Sequence, residues 1–262
     1  MDNNEVNPII WDEIWKQPNT KKKFKSIEKK LHLYLDISNI LSFYLKGIKI
    51  KNPNVLELGC GGSPFFSYLQ KNLPEGNIIG MDRSLNALYL LKTTHKTSYE
   101  TNLVCGDIFK NPIRENRFDI VCSFGFIEHF RNPKMVLEIH KKLLKPGGII
   151  VCLIPNLEGL PGSIINFLRA ETIIKITKKE FKNWFYELEF KDINIKPVGG
   201  LSPSLFLESY SHEKKRTKEK IFYSINSNLI NPISILLNAL FLFRINTSVF
   251  SPFIIGYGKK GG

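Results

Sequence analysis

The chain has 262 residues, of which 43% are hydrophobic and 23% charged, and its formal net charge is +13. This ordinary globular composition excludes a collagen-like, disordered or disulfide-stapled chain and fits one large domain or one domain with appendages. The positive excess is compatible with a polyanionic partner. However, it is mostly lysine and scattered along the chain, which is more typical of solvated surface.

Cysteine spacing and the amino terminus indicate a reduced, cytoplasmic protein without a metal. Cys60, Cys105, Cys122 and Cys152 form no C-x-x-C pair, which argues against a zinc site. Three of the four lie inside apolar strand-like runs, so we expect buried, reduced thiols. The first residues are polar and acidic, unlike a signal peptide. No uninterrupted apolar run reaches the ~18 residues expected for a membrane span.

Residues 1–53 precede the first predicted strand and predict a helical flap. Trp11 and Trp15 lie four positions apart, so a helix would place both rings on one face. A second helix is expected from Lys29 to near Gly47, packed on the sheet. For the two tryptophans, simple packing and a lid over a ligand both stay open.

The stretch of residues 54–66 predicts a buried strand, a glycine turn and a helix. Apolar residues up to Leu58 suit a strand buried on both faces. Gly59 and Gly61 then permit positive φ and close approach of a ligand to the backbone. A bound molecule would lie over this turn, facing the amides at the helix N-terminus. The dinucleotide fingerprint fits poorly, because its third glycine would fall on Pro64.

Two later strands are predicted to end in an acidic residue. Residues 77–82 end in Asp82, which follows Gly61 by about the interval expected for a ribose-binding carboxylate. A carboxylate can accept hydrogen bonds from two vicinal hydroxyls, and Asp82 could also cap the helix that follows it. Residues 102–107 predict a third strand that ends at Asp107.

Residues 118–154 predict the second half of an alternating α/β unit. A strand at 118–124 precedes a helix. Pro-Gly-Gly at 146–148 is then expected to form a turn before a fifth strand at 149–154. Strands that alternate with helices in this way predict a mostly parallel sheet with right-handed crossovers.

The C-terminal part departs from this alternation. Residues 177–190 predict an amphipathic helix, and residues 192–198 and 253–257 predict two strands. The insertion between these strands, 199–248, contains a basic run and an apolar stretch within residues 212–243. A helix over an acceptor site is the first interpretation of the apolar stretch, and an interfacial membrane helix is the second.

As an ordered set, these motifs resemble those of the class I S-adenosylmethionine-dependent methyltransferases. The resemblance begins with E-x-G-x-G-x-S from Glu57, where Ser63 replaces a third glycine that is common in the family. It covers residues 50–154 well and the C-terminal strands more loosely. It implies an α/β, Rossmann-like, doubly wound domain at 54–262. Its seven-stranded sheet would be mostly parallel, with the last strand antiparallel between its neighbours and a helical insertion before it.

The resemblance also implies the cofactor, S-adenosyl-L-methionine, and the residues that would hold it. The glycines would admit its methionine portion, Asp82 would take the ribose, and Asp107 would face the adenine beside the amide of Ile108. Glu57 and the carbonyl of Ser123 would orient the ammonium group. The implied cofactor-binding set is Glu57, Gly59, Cys60, Gly61, Asp82, Arg83, Asp107, Ile108 and Ser123.

The implied reaction is an in-line displacement that moves a methyl group to an oxygen, nitrogen or carbon of an acceptor. Positioning and exclusion of water would be the protein's main contribution. A hydroxyl acceptor would need a base, and His129 is the best candidate because imidazole titrates near neutral pH. Alternatively, the Glu128–His129 pair only begins a helix or shapes the pocket. His140 is expected to be structural or solvent-facing.

The acceptor is expected to be a small molecule, a sugar or a lipid-like compound. Residues 123–126 lack the Asn/Asp-Pro-Pro-aromatic motif of enzymes that methylate exocyclic base amines, and no Pro-Cys dipeptide suits a cytosine C5 enzyme. An RNA methyltransferase, a non-catalytic binding protein and a nicotinamide-dependent oxidoreductase stay as alternatives. Residues 212–243 are a candidate for peripheral membrane contact. The sequence does not indicate the oligomeric state.

Overall fold

The computed structural model describes residues 50–61, 63–94, 102–110, 113–160, 162, 173–200 and 246–262, together with Trp11, Trp15, Lys16 and Ser42. Within these residues the chain forms a seven-stranded sheet in the order β3-β2-β1-β4-β5-β7-β6. Its strands are β1 (Asn54–Leu58), β2 (Asn77–Asp82), β3 (Asn102–Cys105), β4 (Phe118–Phe124), β5 (Leu144–Pro155), β6 (Lys191–Val198) and β7 (Phe253–Lys259).

Strand directions confirm the predicted doubly wound sheet. The pairs formed among β1 to β5 are parallel. β7 runs antiparallel to both of its neighbours, β5 and β6. The last strand is therefore the antiparallel one between two neighbours, as the family resemblance implies.

Helices begin where the sequence offers a cap. The α-helices whose limits fall within the described residues are α1 (Pro64–Asn72), α2 (Leu85–Thr94), α3 (Pro133–Leu143) and α4 (Lys178–Glu187). The Ser63 side chain accepts the N–H of Phe65 before α1, and Asn132 caps α3 in a similar way. Thr177 and Glu180 form a reciprocal capping box at the start of α4. Each cap satisfies backbone donors that a helix N-terminus leaves unpaired.

The hydrophobic core lies on both faces of the sheet, because successive side chains of a strand point to opposite faces. Val55 and Ile120 pack on the face that carries α1 and α2. Leu56 and Val121, their neighbours in the chain, pack on the face that carries α3 and α4. All four side chains are at most 1% exposed, so the central strands are buried on both faces.

One predicted turn is wrong. The Pro-Gly-Gly segment lies inside β5, whose pairing with β4 shifts from Phe118–Leu144 to Ile120–Ile149. Gly147 has a φ of +76° and its N–H donates to the carbonyl of Lys260, so the segment is an irregularity held by the chain's last residues. The strand consequently starts at Leu144 rather than at residue 149.

The expected burial of the cysteines holds for three of them. Cys60, Cys122 and Cys152 are buried, Cys105 is exposed, and all four are free thiols. Cys105 ends β3, which is an edge strand, and its Sγ lies 3.4 Å from the carbonyl of Arg83. A position at the sheet edge therefore explains the exposure that the apolar run did not predict.

The predicted flap and insertion fall largely outside the described residues. The backbone of Trp11, Trp15 and Ser42 is helical. The segment 212–243 is not among the described residues, and so its contact with a membrane and the division of the chain at residue 54 stay predictions. Among the helices that are described, none has the length and apolarity needed to cross a membrane.

The carboxylate of Asp119 ties three strands together at the end of the sheet opposite the glycine turn. It accepts the N–H of Asn54 at 2.8 Å, and the Nζ of Lys145 lies 2.9 and 2.8 Å from its two oxygens. Asp119 is 7% exposed, so removal of its carboxylate leaves the half-buried N–H of Asn54 unpaired and opens a gap between the strands. We expect Asp119→Ala to lower the free energy of unfolding by about 2 kcal/mol, measured by urea denaturation.

Glu138→Ala is the matched control for Asp119→Ala. Glu138 pairs with Lys142 at 3.6 Å, and both side chains are half exposed. Such a pair on a helix surface contributes at most about 0.5 kcal/mol. Equal destabilisation by the two variants would contradict the structural role of Asp119.

Candidate functional site

The predicted glycines and acids meet along one edge of the sheet. Parallel register places Leu58 opposite both Met81 and Ser123, and Asp82 opposite Cys105. The carboxyl ends of β3, β2, β1 and β4 therefore lie side by side. The chain reverses its direction of progress across the sheet between β1 and β4, which is where open α/β sheets bind ligands.

The glycine turn after β1 is bound to the end of β2. Gly59 has a φ of +70°, and its N–H donates to the carbonyl of Met81 at 2.8 Å. The N–H of Gly61 donates to Oδ2 of Asp82 at 2.9 Å. A Cβ on Gly61 would lie 2.2 Å from the Cβ of Ala87 and 2.6 Å from that carboxylate oxygen. Only glycine fits at this position, because α2 and Asp82 fill the space.

The carboxylate of Asp82 is oriented by amides on both sides. Its Oδ2 accepts from Gly61, and its Oδ1 accepts the N–H of Ser84 at 2.8 Å. The hydroxyl of Ser84, in turn, accepts the N–H of Ala87 in the first turn of α2. Asp82 thus shapes the start of the helix. Each carboxylate oxygen has more than one lone pair, so this role is compatible with ligand binding.

Asp107 lies at the neighbouring strand end. β3 ends at Cys105, and the N–H of Gly106 donates to the carbonyl of Asp82 at 3.0 Å. The Oδ1 of Asp107 accepts the N–H of Phe109 at 2.9 Å, which turns the chain into a short 3-10 helix, Ile108–Lys110. Ile108 is buried, whereas Arg83 is exposed. The structure therefore brings Asp82 and Asp107 to adjacent positions on the same edge.

Glu57 is a fully buried carboxyl group in β1, below the glycine turn. Neither of its oxygens has a hydrogen-bond partner. Burial raises the pKa of Glu57 to about 8; the nearby Ser63 hydroxyl opposes this shift and the charge of Asp82 adds to it. Ser63 nonetheless makes no hydrogen bond of normal geometry to Glu57, since both carboxyl oxygens are unpaired. An unpaired buried carboxyl is costly in a folded protein, and a cationic ligand group would offset that cost.

Ser123 directs its side chain into a buried polar network. Its Oγ lies 3.0 Å from Nε2 of His140 and 3.3 Å from Sγ of Cys152. The Nδ1 of His140 lies 2.7 Å from the carbonyl of Val136, so we assign the ring proton to Nδ1. Burial lowers the pKa of His140 to about 4, which keeps it neutral. His140 is therefore structural, and the solvent-facing alternative is wrong.

Glu128 and His129 form a buried 3-10 turn after β4, Ile127–His129. The ring of Trp11 contacts the ring of His129 edge-on, with 4.5 Å between centroids. Burial raises the pKa of Glu128 to about 8, its own N–H opposes the shift, and its Oε2 has no hydrogen-bond partner. Trp11 of the N-terminal segment thus packs directly on the predicted base.

The sequence analysis missed one residue of this site, Phe126. Its ring covers the glycine turn, since a Cβ on Gly59 would lie 2.3 Å from Cδ2 of Phe126. The ring contacts Phe130 at 4.9 Å between centroids, and Phe130 contacts Phe109 at 5.5 Å. The available signal was the recurrence of aromatic residues directly after β4 and after Asp107.

Comparison with known proteins shows that the central part of the chain is similar to methyltransferases. Residues 56–152 match the family model described as a methyltransferase domain. The chain is 31% identical over 119 residues to an uncharacterized methyltransferase of Schizosaccharomyces pombe, covering 42% of each protein. It is also 31% identical over 150 residues to a demethylmenaquinone methyltransferase of Staphylococcus aureus, covering 53% of this chain and 61% of that relative. The chain thus matches less than two thirds of the length of either relative.

Solved structures show the same fold over most of the chain. A plantazolicin methyltransferase in complex with SAH superposes with a TM-score of 0.59 at 17% identity, covering 96% of this chain and 93% of the other. A SAM-dependent methyltransferase from Archaeoglobus fulgidus superposes with a TM-score of 0.56 at 19% identity, covering 86% and 93%. The glycine turn and the acidic strand ends therefore lie in a fold that these proteins share.

Proposed function

We propose that the protein is a class I S-adenosylmethionine-dependent methyltransferase that methylates a small-molecule, sugar or lipid-like acceptor. The match of residues 56–152 to a methyltransferase domain supports this proposal. The observation that carries the proposal is the hydrogen bond from Gly61 to Asp82 at the point where the strand order reverses. One relative is named a demethylmenaquinone methyltransferase, which supports a small-molecule acceptor for this chain.

The residues along this edge fit S-adenosyl-L-methionine. Gly61 has no side chain, so the turn can lie directly against Asp82 and α2. Asp82 can accept hydrogen bonds from two ribose hydroxyls, and Asp107 can accept one from an adenine amino group. Both carboxyl oxygens of Glu57 lack a hydrogen-bond partner, so they are available to the ammonium group of the cofactor. When bound, the cofactor supplies a methyl group that its positively charged sulfur has already activated. The chain then has to orient the two reactants and exclude water.

Calorimetric titration with S-adenosylhomocysteine and with NAD tests the cofactor assignment. We expect the wild-type chain to bind S-adenosylhomocysteine and not NAD. Asp82→Asn removes the negative charge that would accept the ribose hydroxyls and leaves Asp107 unchanged. It should weaken binding of S-adenosylhomocysteine about tenfold, the loss typical of a charge-assisted hydrogen bond. Asp192→Asn changes an exposed carboxylate in β6 and should leave the affinity unchanged. Binding of NAD alone, or the same loss in both variants, would overturn the proposal.

We further propose that His129 accepts a proton from the acceptor. It follows β4, it is 5% exposed, and Trp11 holds its ring in place. A general base contributes about a hundredfold or more to a rate, part of which water can replace. His129→Gln should therefore lower turnover at least tenfold and leave the affinity for S-adenosylhomocysteine unchanged.

A matched variant separates this role of His129 from packing. Trp11→Phe keeps an aromatic ring beside the imidazole and should retain most of the turnover. Normal turnover in both His129→Gln and His129→Ala would exclude His129 as a base and leave it a packing residue.

A further inference from the structure

The aromatic ring of Phe126 covers the glycine turn at Gly59. The ring of Phe126 lies against Gly59, where any larger side chain would collide with it. Phe126 is only half-buried, so it is partly accessible from outside the protein. Its T-shaped contact with the buried Phe130, with 72° between ring planes, restricts its orientation.

The order of strand ends indicates which part of the cofactor meets this ring. Asp107 follows β3, Asp82 ends β2, and Gly59 follows β1, in that order along the edge. With adenine at Asp107 and ribose at Asp82, the next group of the cofactor is the sulfur with its methyl group. That group would then reach the end of β1, where the ring of Phe126 lies against Gly59.

We propose that Phe126 recognises the sulfonium cation and so favours the methyl donor over its neutral product. This inference rests on the proposed function, since it requires S-adenosylmethionine at this edge. An aromatic face attracts a cation within about 6 Å of its centroid, and the attraction increases where water is excluded. The ring also carries no lone pair that an activated methyl group could alkylate, unlike a carboxylate or an imidazole. Phe126 can therefore stabilise the charge without competing with the acceptor.

The difference between the affinities for S-adenosylmethionine and S-adenosylhomocysteine tests this role. The two ligands share the adenosine and amino acid parts and differ in the charge and methyl group on sulfur. Phe126→Leu keeps an apolar side chain but removes the aromatic face. We expect calorimetry on the full chain to show an S-adenosylmethionine affinity about threefold to thirtyfold lower, the range of a cation–π contact. The affinity for S-adenosylhomocysteine should change by less than twofold.

Two further variants make the result specific. Phe126→Tyr keeps the aromatic face and should retain the wild-type ratio of the two affinities. Phe109→Leu makes the same change near Asp107, where the proposal places the adenine that both ligands share. It should therefore alter both affinities by the same factor. Thermal unfolding of each variant checks that the fold is retained.

Each outcome decides between the two proposals. If the wild-type chain binds neither ligand, the proposed function fails. If it binds both and Phe126→Leu leaves their ratio unchanged, only the role of Phe126 fails. Tighter binding of both ligands by Phe126→Leu would show that the ring obstructs the turn, and would also overturn the inference.

Discussion

Replacing Gly61 with alanine is expected to abolish cofactor binding at concentrations that saturate the wild-type chain. The added Cβ would lie 2.2 Å from the Cβ of Ala87 and 2.6 Å from Oδ2 of Asp82. Neither neighbour can move freely, because Ala87 is fully buried in α2 and two backbone amides hold the carboxylate. The carboxylate must leave the turn, and the Gly61–Asp82 hydrogen bond is lost. Overpacking of this kind costs about 1–3 kcal/mol. The free chain relieves the collision by moving the turn, and binding would have to restore it, so the same energy lowers the affinity by up to about a hundredfold.

Calorimetry with S-adenosylhomocysteine measures this loss. Gly261→Ala is the matched control, since nothing lies within 4 Å of a Cβ at that position. The double variant Gly61→Ala, Ala87→Gly removes the collision with α2 but keeps the collision with Asp82. It should therefore recover thermal stability relative to the single variant without recovering affinity. Wild-type affinity in Gly61→Ala would refute the placement of the cofactor on this turn.

The elements at the centre of the sheet could be predicted from the sequence with correct limits. The predicted strands 77–82 and 118–124 agree with β2 and β4. Both are buried strands between helices, so their sequences are short apolar runs bounded by polar or turn residues. The positions of the site residues followed from this topology. Once the strands are parallel, Gly61, Asp82 and Asp107 must share one edge.

Contacts between elements distant in the chain could not be predicted. The ring of Phe126 rests on Gly59 because β4 lies beside β1 in the sheet. The imidazole of His140 meets Ser123 because α3 packs on β4. Neither contact leaves a periodic signal. The irregularity at Gly147 depends on pairing with Lys260 at the far end of the chain. The Pro-Gly-Gly sequence correctly predicts that the chain leaves the helix at this point. Whether the segment then forms a turn or joins the strand depends on its hydrogen bond to Lys260, which the local sequence does not indicate.

Glu57→Gln is expected to have a higher free energy of unfolding than the wild type, and the difference should grow as the pH rises. Burial raises the pKa of Glu57 to about 8 in the folded state, against 4.5 for an ordinary glutamate. Between these values the folded chain holds a proton that the unfolded chain releases. The stabilisation is therefore fully present below pH 4.5 and is lost as the pH rises through 8. The loss is on the order of 4 kcal/mol.

Urea denaturation at pH 5, 6, 7 and 8 measures this dependence. Glutamine has nearly the shape of a protonated glutamate and does not titrate, so Glu57→Gln should show a flatter profile than the wild type. Burial also raises the pKa of Glu128 to about 8, so part of the slope should persist until both residues are replaced. Glu180→Gln is a control in which the change of stability with pH has the opposite sign. Hydrogen bonds from Thr177 lower the pKa of that exposed carboxyl, so its charged form stabilises the fold and this contribution is lost as the pH falls. Parallel profiles for the wild type and Glu57→Gln would mean that Glu57 keeps its charge in the folded chain, with a cation or water as its partner.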